Sequence, residues 1–247
     1  MTERTHTKRE TGGLFLCLDT STPTARVAIL DGDAPFPEAV RFAAEATADR
    51  HAGHLLPLCV EALRAVGVAP AELAGIACGG GPGSFTGLRV GLSMAKGLAL
   101  PTGVPLYVVS SLEALALDIL GTPRDSAGQS AVTAVPCLDA GKGEIYVAAY
   151  DADSERLVRE IVPCARLTPA AFASWGSGLA GPVIAGNGAA RHREALRARD
   201  IGEVAGPTAV SVGRLALLQR DRGEAADLAS AVPFYGRPPD ITVKKLA

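Results

Sequence analysis

The strongest constraint on this chain is that it repeats itself. Asp19 is followed eight residues later by Val27 and twelve later by Asp31, in DTSTPTARVAILD. Asp139 is followed at the same intervals by Val147 and Asp151, in DAGKGEIYVAAYD. Each copy is an aspartate ending a strand, a small-residue turn, then a second apolar strand closed by another aspartate. A second echo follows in the same order: GIACGGGPG (75–83) and PVIAGNGAA (182–190) each run an apolar strand into glycines and then a helix. Self-similarity of this kind marks a duplicated unit. The alternation of strand-like and helix-period runs predicts an α/β fold of two similar lobes. FLCLDTS and ARVAILDGD, joined by the turn-prone TSTPT, read as a hairpin. Helix-period segments are expected at roughly 54–67 and 85–100, with strand-like runs at 75–81 and 106–111. The turn-rich segment GTPRDSAGQS (121–130) divides a first lobe, 14–121, from a second, 131–247; residues 1–13 read as a disordered tail.

Composition narrows the function. The chain has 247 residues, 48% hydrophobic and 20% charged, so its 28 glycines and 17 prolines punctuate a packed chain. A formal charge of −2 argues against an extended electrostatic footprint for nucleic acid, and 4% aromatics leave little for stacking bases. The longest uncharged apolar stretch, Gly97 to Leu112, carries Pro101 and Pro105 and is too short to span a bilayer. The apolar patch Leu14 to Leu18 is too short for a signal peptide. Five cysteines, odd in number and without a CxxC, read as buried thiols of a cytoplasmic protein.

Strand-end aspartates beside tight turns hold metal-bound water in nucleotide-binding α/β proteins, and glycine turns that lead into helices offer N–H groups to phosphates. Asp19 with Thr20 and Ser21, Asp139 with Gly141, and the loops Gly79-Gly80-Gly81 and Gly186-Asn187-Gly188 form a matched set. At fold level this layout resembles the actin, sugar-kinase and Hsp70 superfamily, the ribonuclease H-like type of duplicated lobe. The set is degenerate, however. The second loop, Asp139-Ala140-Gly141-Lys142, lacks the Gly-Gly followed by Thr or Ser that wraps phosphates, and no Walker motif occurs. His51 and His54 lack an acidic neighbour at a usual ligand offset and read as the start of a helix. Ser84 reads as a helix N-cap and not as a nucleophile. No catalytic residue and no metal-ligand set is expected.

Two helices carry excess apolar surface. On the helix from Leu55, the polar or breaking positions Pro57, Glu61 and Arg64 cluster at about 180–240°, taking about 100° per residue. On the helix beginning near Gly87, Arg89, Ser93 and Lys96 cluster in the same way. Each apolar arc is about 220° wide, against the roughly 100° that covering one sheet face requires. Gly87, Gly91, Ala95 and Ala99 add a small-residue repeat at four-residue spacing that lets another helix approach. Either neighbouring helices of the same lobe bury the surplus, or a second protein does. The second explanation makes Leu55, Leu56, Cys59, Val60, Leu63 and Val66, with Gly87, Leu88, Gly91, Leu92, Ala95 and Leu98, a partner interface.

LDTSTPTARVAIL, HAGHLLPLCVEAL, GGGPGSFTGLRVGLSMAKGLA, SSLEALA, DAGKGEIYVAAY and PFYGRPPD occur in this order from residue 14 to 240. In this the chain resembles the TsaB (YeaZ) family, accessory subunits of bacterial tRNA threonylcarbamoyladenosine (t6A37) biosynthesis. The resemblance implies a non-catalytic scaffold that docks through the first two helices on a catalytic paralogue, TsaD. That paralogue binds metal through a His-x-x-x-His pair and transfers a threonylcarbamoyl group to adenosine 37. It also implies a P-loop ATPase partner, TsaE, contact with tRNA through the complex, and homodimers through the same helices. No cofactor of its own is expected; ATP, magnesium and metal belong to the partners. This chain keeps GHLL at 53–56, but its other histidine, His51, stands three residues upstream and not four, which argues against direct metal catalysis. Two alternatives are an ATP-dependent phosphotransferase or ATPase of the actin-like superfamily and a metal-dependent glycoprotease-like peptidase.

Overall fold

The computed structural model describes residues 13–47, 53–122, 132–153, 157–196 and 202–235. β1 (Leu14–Asp19), β2 (Thr24–Asp31) and β3 (Val40–Thr47) form an antiparallel meander, and β4 (Gly75–Gly79) and β5 (Leu106–Val109) add parallel to β1. The sheet order is β3-β2-β1-β4-β5. β6 (Thr133–Gly141), β7 (Glu144–Asp153) and β8 (Leu157–Leu167) repeat the meander, and β9 (Pro182–Ala185) pairs parallel with β6, giving β8-β7-β6-β9. The two echoes in the sequence are therefore one topology used twice. The copies differ in their turns: Leu18 faces Val27, whereas Leu138 faces Tyr146, so the second hairpin is one residue tighter. A register shift between Asp139 and Gly141 and left-handed backbone at Gly141, Lys142 and Gly143 absorb the difference.

Helices cover both faces of both sheets. α1 (Leu55–Val66) lies over β2 and β3, and α2 (Phe85–Thr102) over β4, on the outer face of the first sheet. Their buried stripes, Leu55, Leu58 and Cys59 with Leu92, Ala95 and Ala99, meet Leu16, Leu18, Val27 and Ile29. Ser84 caps α2 by accepting from the Gly87 N–H at 3.2 Å. α1 ends at Gly67, whose φ of 69° admits the left-handed turn that stops it. α4 (Phe172–Trp175), α5 (Asn187–Arg191) and α6 (Arg193–Leu196) cover the outer face of the second sheet.

The inner layer departs from the expected division. α3 (Ser111–Gly121), inside the expected first lobe 14–121, packs on β6, β7, β8 and β9 of the second sheet. α7 (Ala209–Asp221), inside the expected second lobe 131–247, packs on β1, β2, β4 and β5 of the first. Both inner sheet faces are apolar, and one shared pair of helices seals them in a single core from Phe15 and Leu30 through Leu112, Leu115, Val212 and Leu215 to Leu138 and Tyr146. Asp118 on α3 joins the pair, accepting from Thr208 N–H (2.7 Å), Thr208 Oγ1 (2.8 Å) and Ser211 Oγ (2.6 Å) at the start of α7. The expected divider, from residue 123 onward, the expected tail through residue 12 and His51 lie outside the described residues.

Candidate functional site

β1 and β4 run parallel and end together, which brings Asp19, Thr20 and Ser21 beside the Gly79-Gly80-Gly81 loop. Asp19 is fully buried. Its Oδ1 accepts from Ser21 N–H (2.8 Å) and Ser21 Oγ (2.7 Å), and its Oδ2 accepts from Ser111 Oγ at 2.9 Å. Burial pushes its carboxyl above the usual carboxylate range, opposed by those hydrogen bonds and by the charge of Arg26. A Cβ on Gly79 would collide with Asp19 Oδ2, so the glycine is what lets the carboxylate pack there.

The loop amides are occupied as well. Gly80 N–H donates to Val109 O (2.8 Å), Gly81 N–H to Ser111 Oγ (3.2 Å), and Ser84 N–H to Ser21 O (2.7 Å). Phe234 N–H donates to Gly80 O at 2.8 Å, and Phe234 O lies 2.5 Å from where a Cβ on Gly81 would stand. The first loop is thus filled by the protein's own Ser111 and by the segment Val232–Tyr235. The set does not fit a phosphate cradle, because the donors that would bind phosphate already have partners.

The second copy is closed differently. Asp139 Oδ2 pairs with Arg191 Nη1 at 2.8 Å, and its Oδ1 accepts from Gly141 N–H at 3.1 Å. Asn187 Oδ1 accepts from the Asp139 N–H at 3.1 Å. Cβ atoms on Gly186 or Gly188 would meet the β6 backbone at Cys137 and Leu138, so these glycines allow α5 to lie against the strand. Each loop set is brought together by the fold. Ser111, Arg191 and the Val232–Tyr235 segment were not assigned to the site from sequence; Ser111 and the segment stand far along the chain from the loop they fill, and Arg191 is 52 residues from Asp139. Among the described residues no group of three or more His, Cys, Asp or Glu side chains is placed to hold a metal ion. His54 is exposed at the N-cap of α1 and makes no capping bond.

The expected interface divides in two. Leu55, Cys59 and Leu63 on α1, and Gly87, Leu88, Gly91, Leu92 and Ala95 on α2, are buried in the chain's own first lobe. This corrects the small-residue repeat: it faces the sheet and not a partner helix. Thr20 Oγ1 donates to Gly87 O at 2.7 Å, and a Cβ on Gly91 would overlap Thr20 Oγ1. The end of β1 presses on α2 at these positions. Leu56 is 50% exposed, and Val60, Val66 and Leu98 are half-buried. Phe85 (41%) and Leu100 (75%) add apolar surface on α2. The surplus is real but narrower than the sequence arcs, because each helix buries one stripe on the sheet. No helix among the described residues is long and apolar enough to cross a membrane.

Comparison with known proteins places this geometry. The family model for tRNA N6-adenosine threonylcarbamoyltransferase (TsaD) matches residues 42–185. The chain is 32% identical over 149 residues to the tRNA threonylcarbamoyladenosine biosynthesis protein TsaB of Bacillus subtilis, covering 60% of this chain and 59% of that protein. The TsaB of Escherichia coli is 32% identical over 139 residues, covering 56% and 55%. The chain thus spans somewhat over half the length of these curated relatives. An uncharacterized Mycobacterium tuberculosis protein is 31% identical over 226 residues, covering 91% and 92%. The solved structure of YeaZ from Pseudomonas aeruginosa superposes with a TM-score of 0.71 at 28% identity, covering 90% of this chain and all of that one. With its twice-used ribonuclease H-like topology, the chain belongs to the TsaB (YeaZ) family.

Proposed function

We propose that this protein is a non-catalytic subunit of the tRNA threonylcarbamoyladenosine (t6A37) modification machinery. It docks on a TsaD-like catalytic paralogue through the outer surface of α1 and α2. The observation that carries the scaffold reading is the buried Asp19, whose two oxygens are taken by Ser21 and Ser111, beside helices that leave Leu56 and Leu100 exposed. A carboxylate in that setting holds β1, the glycine loop and α3 together; it has no oxygen turned toward a substrate. The apolar residues left on α1 and α2 supply the contact core, a patch on the scale of about 800 Å² on each partner. A TsaE-like ATPase and tRNA join through the complex, and ATP, magnesium and metal act on the partner subunits. In the partner's absence the same surface pairs two copies of this chain.

Reconstitution of the modification reaction from purified subunits, ATP, magnesium and tRNA tests this. Leu56→Asp is expected to abolish both co-elution with the catalytic paralogue and t6A formation while leaving the melting temperature of the lone chain unchanged. Asp19→Asn is expected to keep both. Loss of t6A formation by Asp19→Asn, with the complex intact, would instead place chemistry on this chain.

A further inference from the structure

The segment Val232–Tyr235 touches three elements at the glycine-loop end of the molecule. It bonds the first sheet through Phe234 N–H to Gly80 O at 2.8 Å. It bonds the second sheet through the hydroxyl of Tyr146, on β7, which donates to Tyr235 O at 2.7 Å. It meets the first turns of α2 through Arg89 Nε, which donates to Tyr235 Oη at 3.1 Å. The Phe85 and Tyr235 rings lie 4.7 Å apart, and the Arg89 guanidinium sits 4.1 Å over the Phe85 ring. The stem of the segment is fixed separately: Ala226 N–H donates to Leu106 O at 2.7 Å, and Asp227 accepts from Ala229 N–H, Ser230 N–H and Ser230 Oγ.

Little apolar burial holds the segment itself. Val232 is 71% and Phe234 56% exposed. A stretch held by a few directional bonds and one ring contact opens locally at far lower cost than the core beneath it.

We propose that Val232–Tyr235 is a releasable clamp across the mouth between the two sheets, coupling the position of β7 to the glycine loop and to the first turns of α2. The core around α3 and α7 joins the sheets at their inner faces; the clamp joins them at the loop end. When it lets go, Gly80 O and Tyr235 O lose their partners together and the Phe85–Arg89 turn loses its ring contact. The inference concerns the chain alone and stands apart from any docking partner.

Amide hydrogen exchange followed by mass spectrometry on the full chain tests it. Tyr146→Phe keeps the packed ring and removes the hydroxyl that reaches the segment. Exchange is expected to rise about tenfold, the change that one net hydrogen bond supports, in peptides covering 232–235, 80–81 and 85–89 together. Phe234→Ala, which removes an exposed ring and keeps the backbone bond to Gly80, is expected to change exchange in those peptides by less than about twofold. A rise confined to β7, or no rise at 80–81 and 85–89, would overturn the coupling. So would an equal rise across the whole chain, which would make Tyr146 Oη a general support of the fold.

Discussion

Gly91→Ala and Gly97→Ala place the same methyl group on the same helix and are expected to act in opposite directions. At Gly91 the new Cβ overlaps Thr20 Oγ1 and lies 3.5 Å from Leu18 Cδ1. Thr20 must give up its 2.7 Å bond to Gly87 O or α2 must lift from the sheet. Overpacking costs about 1–3 kcal/mol, and a buried hydroxyl left without its partner about 1–3 kcal/mol. The gain in helix propensity is about 1 kcal/mol, so the net loss is about 3 kcal/mol. At Gly97 a Cβ meets nothing within 4 Å, and only the gain of about 1 kcal/mol remains. For a chain of this length, calorimetry should place Gly91→Ala about 6–12 °C below the parent and Gly97→Ala about 2–4 °C above it. In a Thr20→Ala background the obstructing oxygen is gone, so the Gly91→Ala penalty should fall by at least about 1 kcal/mol, a coupling that a double-mutant cycle resolves. Equal melting temperatures for the two alanine variants would refute the close packing of α2 on β1. The small-residue repeat would then again need a partner helix to account for it.

Other expectations follow from the buried carboxylates and the thiols. Burial raises the carboxyls of Asp19 and Asp118, so the folded chain holds protons that the unfolded chain has released. Their contribution is full below the unfolded value of about 3.9 and is lost as pH rises through the folded value. Urea titrations should therefore find Asp19→Asn gaining on the parent as pH rises above about 4; a constant difference would contradict the raised carboxyl. Asp118→Ala strips the bonds that hold the start of α7 and should cost about 2–4 kcal/mol in the same titration, with the Thr208 N–H and the Thr208 and Ser211 hydroxyl protons left without their acceptor. All five cysteines are free thiols, four of them buried; Cys164 is half-buried, and its thiol is pushed up to about 11. A thiol reagent at pH 8 should label the native chain slowly, at Cys164 first, and all five cysteines after denaturation.

The duplicated plan was legible because it is written in local chemistry. The β1–β2 hairpin, β4 running into its glycines, α2 starting at Ser84 and the echo around Asp139 depend on turn residues and apolar runs a few positions apart. The edge strand β3 escaped notice: VRFAAEAT alternates in burial, but its inward residues include Ala44 and Ala46, which give the alternation little amplitude. The exchange of α3 and α7 was not legible either, since an apolar helix does not declare which sheet it will cover. The loop residues read as a degenerate nucleotide-type set, but the partners that occupy them were not legible. Asp19 resembles a ligand-binding aspartate until Ser111, from the start of α3, arrives to occupy it. The stripe of Gly87, Gly91 and Ala95 shows the same limit, because close approach to a sheet and close approach to a helix demand the same small residues.

Because α7 supplies the inner cover of the first sheet, the growing polypeptide cannot finish its first half when that half leaves the ribosome. The inner side of β1 and β2, with Phe15, Cys17 and Leu30, stays uncovered until Val212 and Leu215 have been synthesised, almost at the far end of the chain. Cutting the gene at the turn-rich divider would accordingly yield two insoluble pieces that recover only when co-expressed.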